Sequence, residues 1–183
     1  KSGMVKVLNQ QGNYYCSSRN IKKGRTLLAK ANKILEEIDD KRGLAYNCNI
    51  TGSVMIANGS KDLEKVHELW EKSLALYEKL KDNSGIANQL GQLAWLHIND
   101  GNLADAMNNL KKALSISRRL GDKEKIAGVL RTISAVLEQK GDDNKSLKYQ
   151  IEAKEIYSQI GDKFFEAITS RSIGITYEKI GKL

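Results

Sequence analysis

The chain contains no proline. Proline fixes φ and marks turns and edge strands, so its absence argues against a turn-rich β-sandwich, while plentiful Ala, Leu, Lys and Glu suit helices. Cysteine is nearly as scarce. Cys16 and Cys48 are too few for a disulfide scaffold, and neither stands at a C-x-x-C or Cys/His spacing, which excludes a stapled secreted domain and a zinc knuckle. A reduced, intracellular setting is expected. No stretch of about 18 apolar residues occurs, and no short apolar segment with a small-residue cleavage site opens the chain, so neither a membrane span nor a signal peptide is read. The localisation expected on these grounds is cytoplasmic. Because the sequence opens on Lys1 rather than Met, a fragment of a longer protein is expected.

What is present is a balanced mixture: 183 residues, 40% hydrophobic and 28% charged, with a formal net charge of +8. That composition supports one substantial core and is too mixed for a disordered tail. The fold class read from it is all-α.

Self-similarity gives the organisation. Leu120-Gly121-Asp122-Lys123 recurs as Ile160-Gly161-Asp162-Lys163, 40 residues on. One period earlier the slot reads Leu80-Lys81-Asp82-Asn83, and before that Ile38-Asp39-Asp40-Lys41, at a spacing of 42. Gly59, Gly101, Gly141 and Gly181 fall about half a period away. Two punctuation marks per period imply two helices per period: Gly ends one helix in the left-handed conformation and the following Asp accepts the free N–H groups of the next. A phosphate cradle at Gly-Asp-Lys lacks the glycine spacing of a P-loop. Between the marks, apolar and small residues fall at helical spacing, as in Ile86, Ala87, Leu90, Leu93, Ala94, His97 and Ile98, then Leu103, Ala106, Leu110, Ala113 and Leu114. The predicted first helices are 4–17, 41–57, 83–99, 123–140 and 163–179; the second helices are 22–38, 63–80, 103–120 and 144–160.

These residues resemble the tetratricopeptide repeat, whose first helix carries a large residue, two spacers, Leu-Gly, two spacers and Tyr, and whose second carries Ala, three spacers and an aromatic. The first repeat reads Leu8-x-x-Gln11-Gly12-x-x-Tyr15, then Gly24-x-x-x-Leu28-x-x-Ala31. The third reads Leu90-x-x-Leu93-Ala94-x-x-His97, then Ala106-x-x-x-Leu110-x-x-Ala113; the last, Ser170-x-x-Ile173-Gly174-x-x-Tyr177, stops before its second helix. The 40-residue period and the Gly-Asp ending look like the longer subclass of kinesin light chains and bacterial signalling proteins. The resemblance implies one domain, a right-handed α-solenoid of antiparallel helix pairs with about nine helices, in repeats 1–40, 41–82, 83–122, 123–162 and a partial 163–183. Small residues of paired helices should face one another: Gly12 with Gly24, Ala94 with Ala106, Ser134 with Ser146, and Gly52 with the bulkier Val66. Gln150, where an aromatic or Leu is expected, and Asp143, where an aliphatic begins the helix, predict a looser fourth pair with Tyr149 substituting. The orphan final helix, apolar at Ile168, Ile173 and Ile175, predicts downstream sequence or a partner chain, including self-association.

No catalytic constellation is read. His97 falls in the slot of Tyr15, Met55, Leu137 and Tyr177 and is expected to pack; His67 is expected to face solvent; neither has a second ligand at metal spacing. Cys48 shares the large apolar slot of Leu8, Leu90 and Leu130. Glu36-Glu37 and Asp142-Asp143 read as solvated charge at helix ends. The expectation is a non-enzymatic chain with no metal and no cofactor. Lys22-Lys23-Arg25, Lys111-Lys112 and Arg118-Arg119 are scattered on second helices, so nucleic acid is the least favoured partner, through a basic convex face.

The resemblance places function in a concave groove lined by first helices, holding a peptide or helical segment of a partner. The groove slots are Lys6, Asn9 and Asn13; Tyr46, Asn49 and Ser53; Asn88, Gln92, Trp95 and Asn99; Arg131; and Arg171 with Ile175. Asparagine amides offer a donor and an acceptor to a peptide backbone, and the Arg fork fits acidic groups. In Tyr46-Asn47-Cys48-Asn49-Ile50-Thr51-Gly52-Ser53, a glycosylation reading of Asn49 gives way to this one, because a sequon inside a packed helix is a poor acceptor. A protein-binding scaffold is thus expected; the alternative is a ligand- or peptide-sensing regulatory segment of a larger bacterial signalling protein, a sensor kinase or transcription factor.

Overall fold

A computed structural model gives the structure of residues 2–18 and 20–181. Among the described residues it forms nine helices: α1 (Ser2–Ser17), α2 (Ile21–Glu37), α3 (Lys41–Ala57), α4 (Leu63–Lys79), α5 (Asn83–Asn99), α6 (Leu103–Leu120), α7 (Lys123–Gln139), α8 (Asp143–Ile160) and α9 (Lys163–Lys179). The boundaries fall within two residues of those predicted, because each is set by local chemistry. Asp40, Asp62, Asp122 and Asp162 each accept a hydrogen bond from the backbone N–H three residues on, at 2.9–3.0 Å, and so start α3, α4, α7 and α9. Helices α2 to α9 each end in a left-handed residue. Gly121 and Gly161 fill this role at φ of 67° and 75°, and Asp39 and Lys81 adopt the same conformation without glycine, at φ of 48° and 53°. The turn survives the loss of its glycine, at a cost of about 1 kcal/mol per side chain forced into this region.

The chain forms two compact units, Lys1–Gln89 and Leu90–Leu183. In the first, α1 packs on α2 and α3 on α4. Val5, Leu8, Ala31, Leu35 and Leu44 form one core cluster, and Cys16, Leu28 and Val54 form a second. Gly12 and Gly24 make the close approach expected of them: a Cβ on Gly24 would stand 2.6 Å from the Gly12 carbonyl oxygen. Gly52 differs from expectation. A Cβ there would meet the Trp70 indole nitrogen at 2.4 Å, so the glycine makes room for a tryptophan one turn beyond the fully buried Val66. Cys48 is buried in its apolar slot, and burial pushes both thiols up from their ordinary pKa.

In the second unit, Leu110, Ala113, Ala127, Leu130, Ile133, Val136, Ala153 and Tyr157 form a buried set contributed by α6, α7 and α8. The fourth pair corrects the prediction of a loose contact relieved by Tyr149. Gln150 itself keeps the core slot at 1% exposure, and Tyr149 is only half-buried. The buried amide is tolerated because Glu138 of α7 accepts from its Nε2, and the same carboxylate oxygen accepts from Ser146 at 3.2 Å and Thr176 of α9 at 3.4 Å. One carboxylate thereby ties three helices.

Candidate partner-binding site

The five first helices α1, α3, α5, α7 and α9 carry the predicted site residues. In the first unit α1 touches α3 directly. Between them lies a cleft of about 260 Å³ lined by Val5, Lys6, Asn9 and Gln10 of α1, by Gly43 and Tyr46 of α3, and by Asp40 at its cap. Three predicted residues, Lys6, Asn9 and Tyr46, therefore come together at one concavity. Tyr46 is half exposed, Lys6 and Asn13 are exposed, and Lys6 supplies a cation at the cleft.

Asn9 requires a correction. It was expected to project freely, yet only 4% of its surface is exposed. Its Oδ1 accepts a 2.7 Å hydrogen bond from Asn47 Nδ2, which also donates to the Leu28 carbonyl at 3.2 Å. A carbonyl can only accept, so the Leu28 contact fixes which end of the Asn47 amide is nitrogen, and Asn47 in turn fixes Asn9. The cleft wall is thus a held amide rather than a free one. Asn47 was missed by sequence reading. The available signal was the recurrence of an amide in its slot one repeat on, at Gln89, since both residues are buried.

Farther along α3, Asn49 and Ser53 are half-buried. The Asn49 backbone carbonyl accepts from the Trp70 indole at 3.3 Å and from the Ser53 hydroxyl at 3.0 Å. Ser53 therefore spends its donor within its own helix. On α5, Asn88, Trp95 and Asn99 are exposed and Gln92 is half-buried, with Trp95 showing 42% of its surface.

In the second unit, Arg131 and Arg171 are both exposed. The Arg131 guanidinium lies 5.2 Å from the Phe165 ring centre, a cation–π contact that joins α7 to α9. Around Arg171 on α9, Phe164, Ile168 and Ile175 expose 68%, 38% and 45% of their surfaces. This face pairs cations with apolar side chains. His67 is exposed, with its Nε2 3.9 Å from Glu71, and His97 is half-buried. Among the described residues no group of three or more His, Cys, Asp or Glu is placed to hold a metal ion, and no helix is long and apolar enough to cross a membrane.

The family model described as the tetratricopeptide repeat matches residues 86–120, which span most of α5 and all of α6. Residues 86–120 match one tetratricopeptide repeat. Solved structures extend the likeness in fold to nearly the whole chain. The BtubC protein (BKLC) of P. vanneervenii matches with a TM-score of 0.87 at 15% identity, covering 97% of this chain and 73% of that one. A putative kinesin light chain of Podospora anserina with nearly identical tetratricopeptide-like repeats matches at 0.78 and 12% identity, over 97% and 87% of the two chains. A signal transduction ATPase with numerous domains from Pyrococcus horikoshii, bearing a tetratricopeptide repeat sensor, matches at 0.84 and 15% identity over 94% of this chain and 27% of that one. No curated protein sequence matches the chain. The helix pairs explain the period: each first helix presents one side to its partner and leaves another open.

Proposed function

We propose that the chain is a protein-interaction scaffold that holds a peptide or helical segment of a partner against the open faces of its first helices. One observation carries this reading: the exposed large apolar side chains concentrate on those helices. Met4, Val7, Tyr14, Tyr46, Trp95, Phe164, Ile168 and Ile175 all belong to first helices, whereas the second helices contribute Leu120 and Ile160 at their last residues and Ile151 in mid-helix. Exposed apolar surface rimmed by polar groups is the usual mark of a protein contact. The polar company differs along the chain, with amides at Asn13, Asn49 and Asn88 and guanidiniums at Arg131 and Arg171. The amides of the first unit suit the backbone of a partner segment, and the arginines of the second unit suit acidic side chains.

The test is recovery of a partner with the full-length protein, followed by Asn49→Ala, Trp95→Ala and Arg131→Ala. Trp95→Ala is expected to weaken binding at least about tenfold, as removal of an aromatic anchor does. Unchanged affinity across all three variants removes the first-helix assignment. A second reading is supported by the sensor role of the tetratricopeptide repeats in the Pyrococcus horikoshii protein: occupancy of the same face controls an output domain elsewhere in a longer signalling protein. Nucleic acid is the weaker choice. The exposed cations of the second helices are partly engaged, Lys23 over the Tyr15 ring at 4.0 Å and Arg118 with Glu152, and a steep fall of affinity with salt is the signature that would restore it.

A further inference from the structure

The geometry points to a second binding site, distinct from the first-helix faces: the cleft between α6 and the α7–α8 turn takes a small organic anion that carries an apolar ring. The cleft lies wholly within the second unit and measures about 440 Å³, inside the range of about 300–1,000 Å³ usual for small-molecule sites. Its apolar lining comes from Met107, Leu137 and Tyr149, each half-buried. Its polar lining is almost all cationic: Lys111 on α6, Lys140 at the end of α7 and Lys145 on α8, against the single acid Asp142.

That acid is already committed. Asp142 Oδ2 lies 2.6 Å from Lys145 Nζ, so this pair is neutral as a unit. Lys111 and Lys140 make no ion pair among the described residues. Two uncompensated ammonium groups therefore share a concavity with three apolar side chains.

The repeat itself does not demand lysine there. Forty residues earlier, the positions of Lys111, Lys140 and Lys145 hold Glu71, Asp100 and Asp105. Every charge in the set is inverted between one repeat and the next, while the fold of the helix pair is kept. The cationic lining thus belongs to this one cleft rather than to the architecture.

The chemistry of the two linings selects the ligand class. A bare inorganic anion engages the ammonium groups and leaves the apolar wall wet. A neutral ring covers Leu137 and Tyr149 and leaves both charges unpaired. An aryl phosphate or aryl carboxylate satisfies both at once, with the ring against Tyr149, Leu137 and Met107 and the anion between Lys111 and Lys140, which act as point charges and tolerate either group.

Phenyl phosphate is the probe, titrated into the full chain by calorimetry beside inorganic phosphate and benzyl alcohol. One saturable site is expected for phenyl phosphate, at least about tenfold tighter than for either control. Lys111→Gln and Lys140→Gln change exposed side chains and leave the fold intact; each is expected to weaken phenyl phosphate about tenfold. Lys112→Gln, exposed on α6 but outside the cleft, is expected to leave it unchanged. Equal affinity for phenyl phosphate and inorganic phosphate overturns the proposal. So does an equal loss from Lys112→Gln and Lys111→Gln, since either result describes a diffuse basic surface and no site.

Discussion

Between α1 and α2, a Cβ on Gly24 would lie 2.2 Å from the Cys16 sulfur and 2.6 Å from the Gly12 carbonyl oxygen; on α9, Gly174 holds the slot of Gly12 and a Cβ there would meet nothing within 4 Å. The same residue type in the same position of the repeat is indispensable at one end of the chain and idle at the other. The last three helices are fastened differently, through the Glu138 carboxylate that accepts from Ser146, Gln150 and Thr176. One repeat earlier those slots hold Ile98, Ala106, Leu110 and Val136. A helix pair of this kind thus tolerates backbone contact, apolar packing or a polar hub, provided that the volume is filled.

The largest effect is expected where backbone meets backbone. Gly24→Ala pushes a methyl group against a carbonyl that cannot rotate away, so α1 and α2 must separate, at a cost of about 3 kcal/mol. Chemical denaturation followed by helical circular dichroism measures it. A loss below about 1 kcal/mol would mean that the contact yields easily and that the glycine pair is not what sets the spacing.

Next comes the polar hub. Glu138→Ala strands the buried donors of Gln150 and Ser146, while Thr176 keeps its 3.0 Å bond to the Ser172 carbonyl, and is expected to cost about 2 kcal/mol. The comparison with the preceding repeat supplies the rescue: Glu138→Ile, Gln150→Leu and Thr176→Val together restore three of the four residues of that repeat and are expected to return stability to within about 1 kcal/mol of the parent. Failure of the triple variant, with the single variant destabilised, would show that the hub does more than replace apolar packing.

A smaller contrast separates the starts of α7 and α8. Asp122 accepts from the Lys125 backbone N–H, and this hydrogen bond, with the nearby Lys125 ammonium, holds its pKa below the usual carboxylate value. Asp142 makes no side-chain cap and turns to the Lys145 ammonium instead. Asp122→Ala is expected to cost about 1 kcal/mol, and Asp142→Ala to leave the unfolding midpoint in place, since exposed ion pairs contribute little. Because the folded pKa of Asp122 is depressed, its contribution is present above the unfolded carboxylate pKa and is lost as pH falls through the folded value. The gap between parent and Asp122→Ala should therefore hold at neutral pH and close in acid. A gap independent of pH would place the effect elsewhere.

Helix number, helix limits and the Gly12/Gly24 approach were legible in the sequence because they follow from local rules: spacing, caps and the size of one residue. What the sequence concealed depends on which of several neighbours wins a contact. Gly52 was paired by register with Val66, but the larger Trp70 one turn on takes the space. Asn9 looked like a free amide because helical spacing puts its slot on the open side, where Arg131 and Arg171 are exposed; the three-dimensional meeting with Asn47 and the Leu28 carbonyl pulls it in. Gln150 looked like a defect because its acceptor, Glu138, sits on a different helix. The open slots at Tyr46, Trp95, Arg131, Arg171 and Ile175 were readable from helical periodicity alone, since exposure on a helix is a matter of angle.

The smallest effect has the opposite sign. Gly174 lies inside α9 and is only half-buried, so Gly174→Ala removes backbone freedom from the unfolded chain without creating a clash, and is expected to stabilise by about 0.5–1 kcal/mol. Gly12→Ala, whose Cβ would meet the Leu28 side chain at 2.8 Å, is expected to destabilise. Measured side by side at low protein concentration, the two variants isolate neighbourhood from residue type. Destabilisation by Gly174→Ala would mean that a helix covers this face in solution, which is what self-association through α9 requires; the loss would then deepen as protein concentration is raised, because association stabilises the parent and not the variant. A gain that is independent of concentration leaves α9 uncovered and confines the close glycine approach to the first pair.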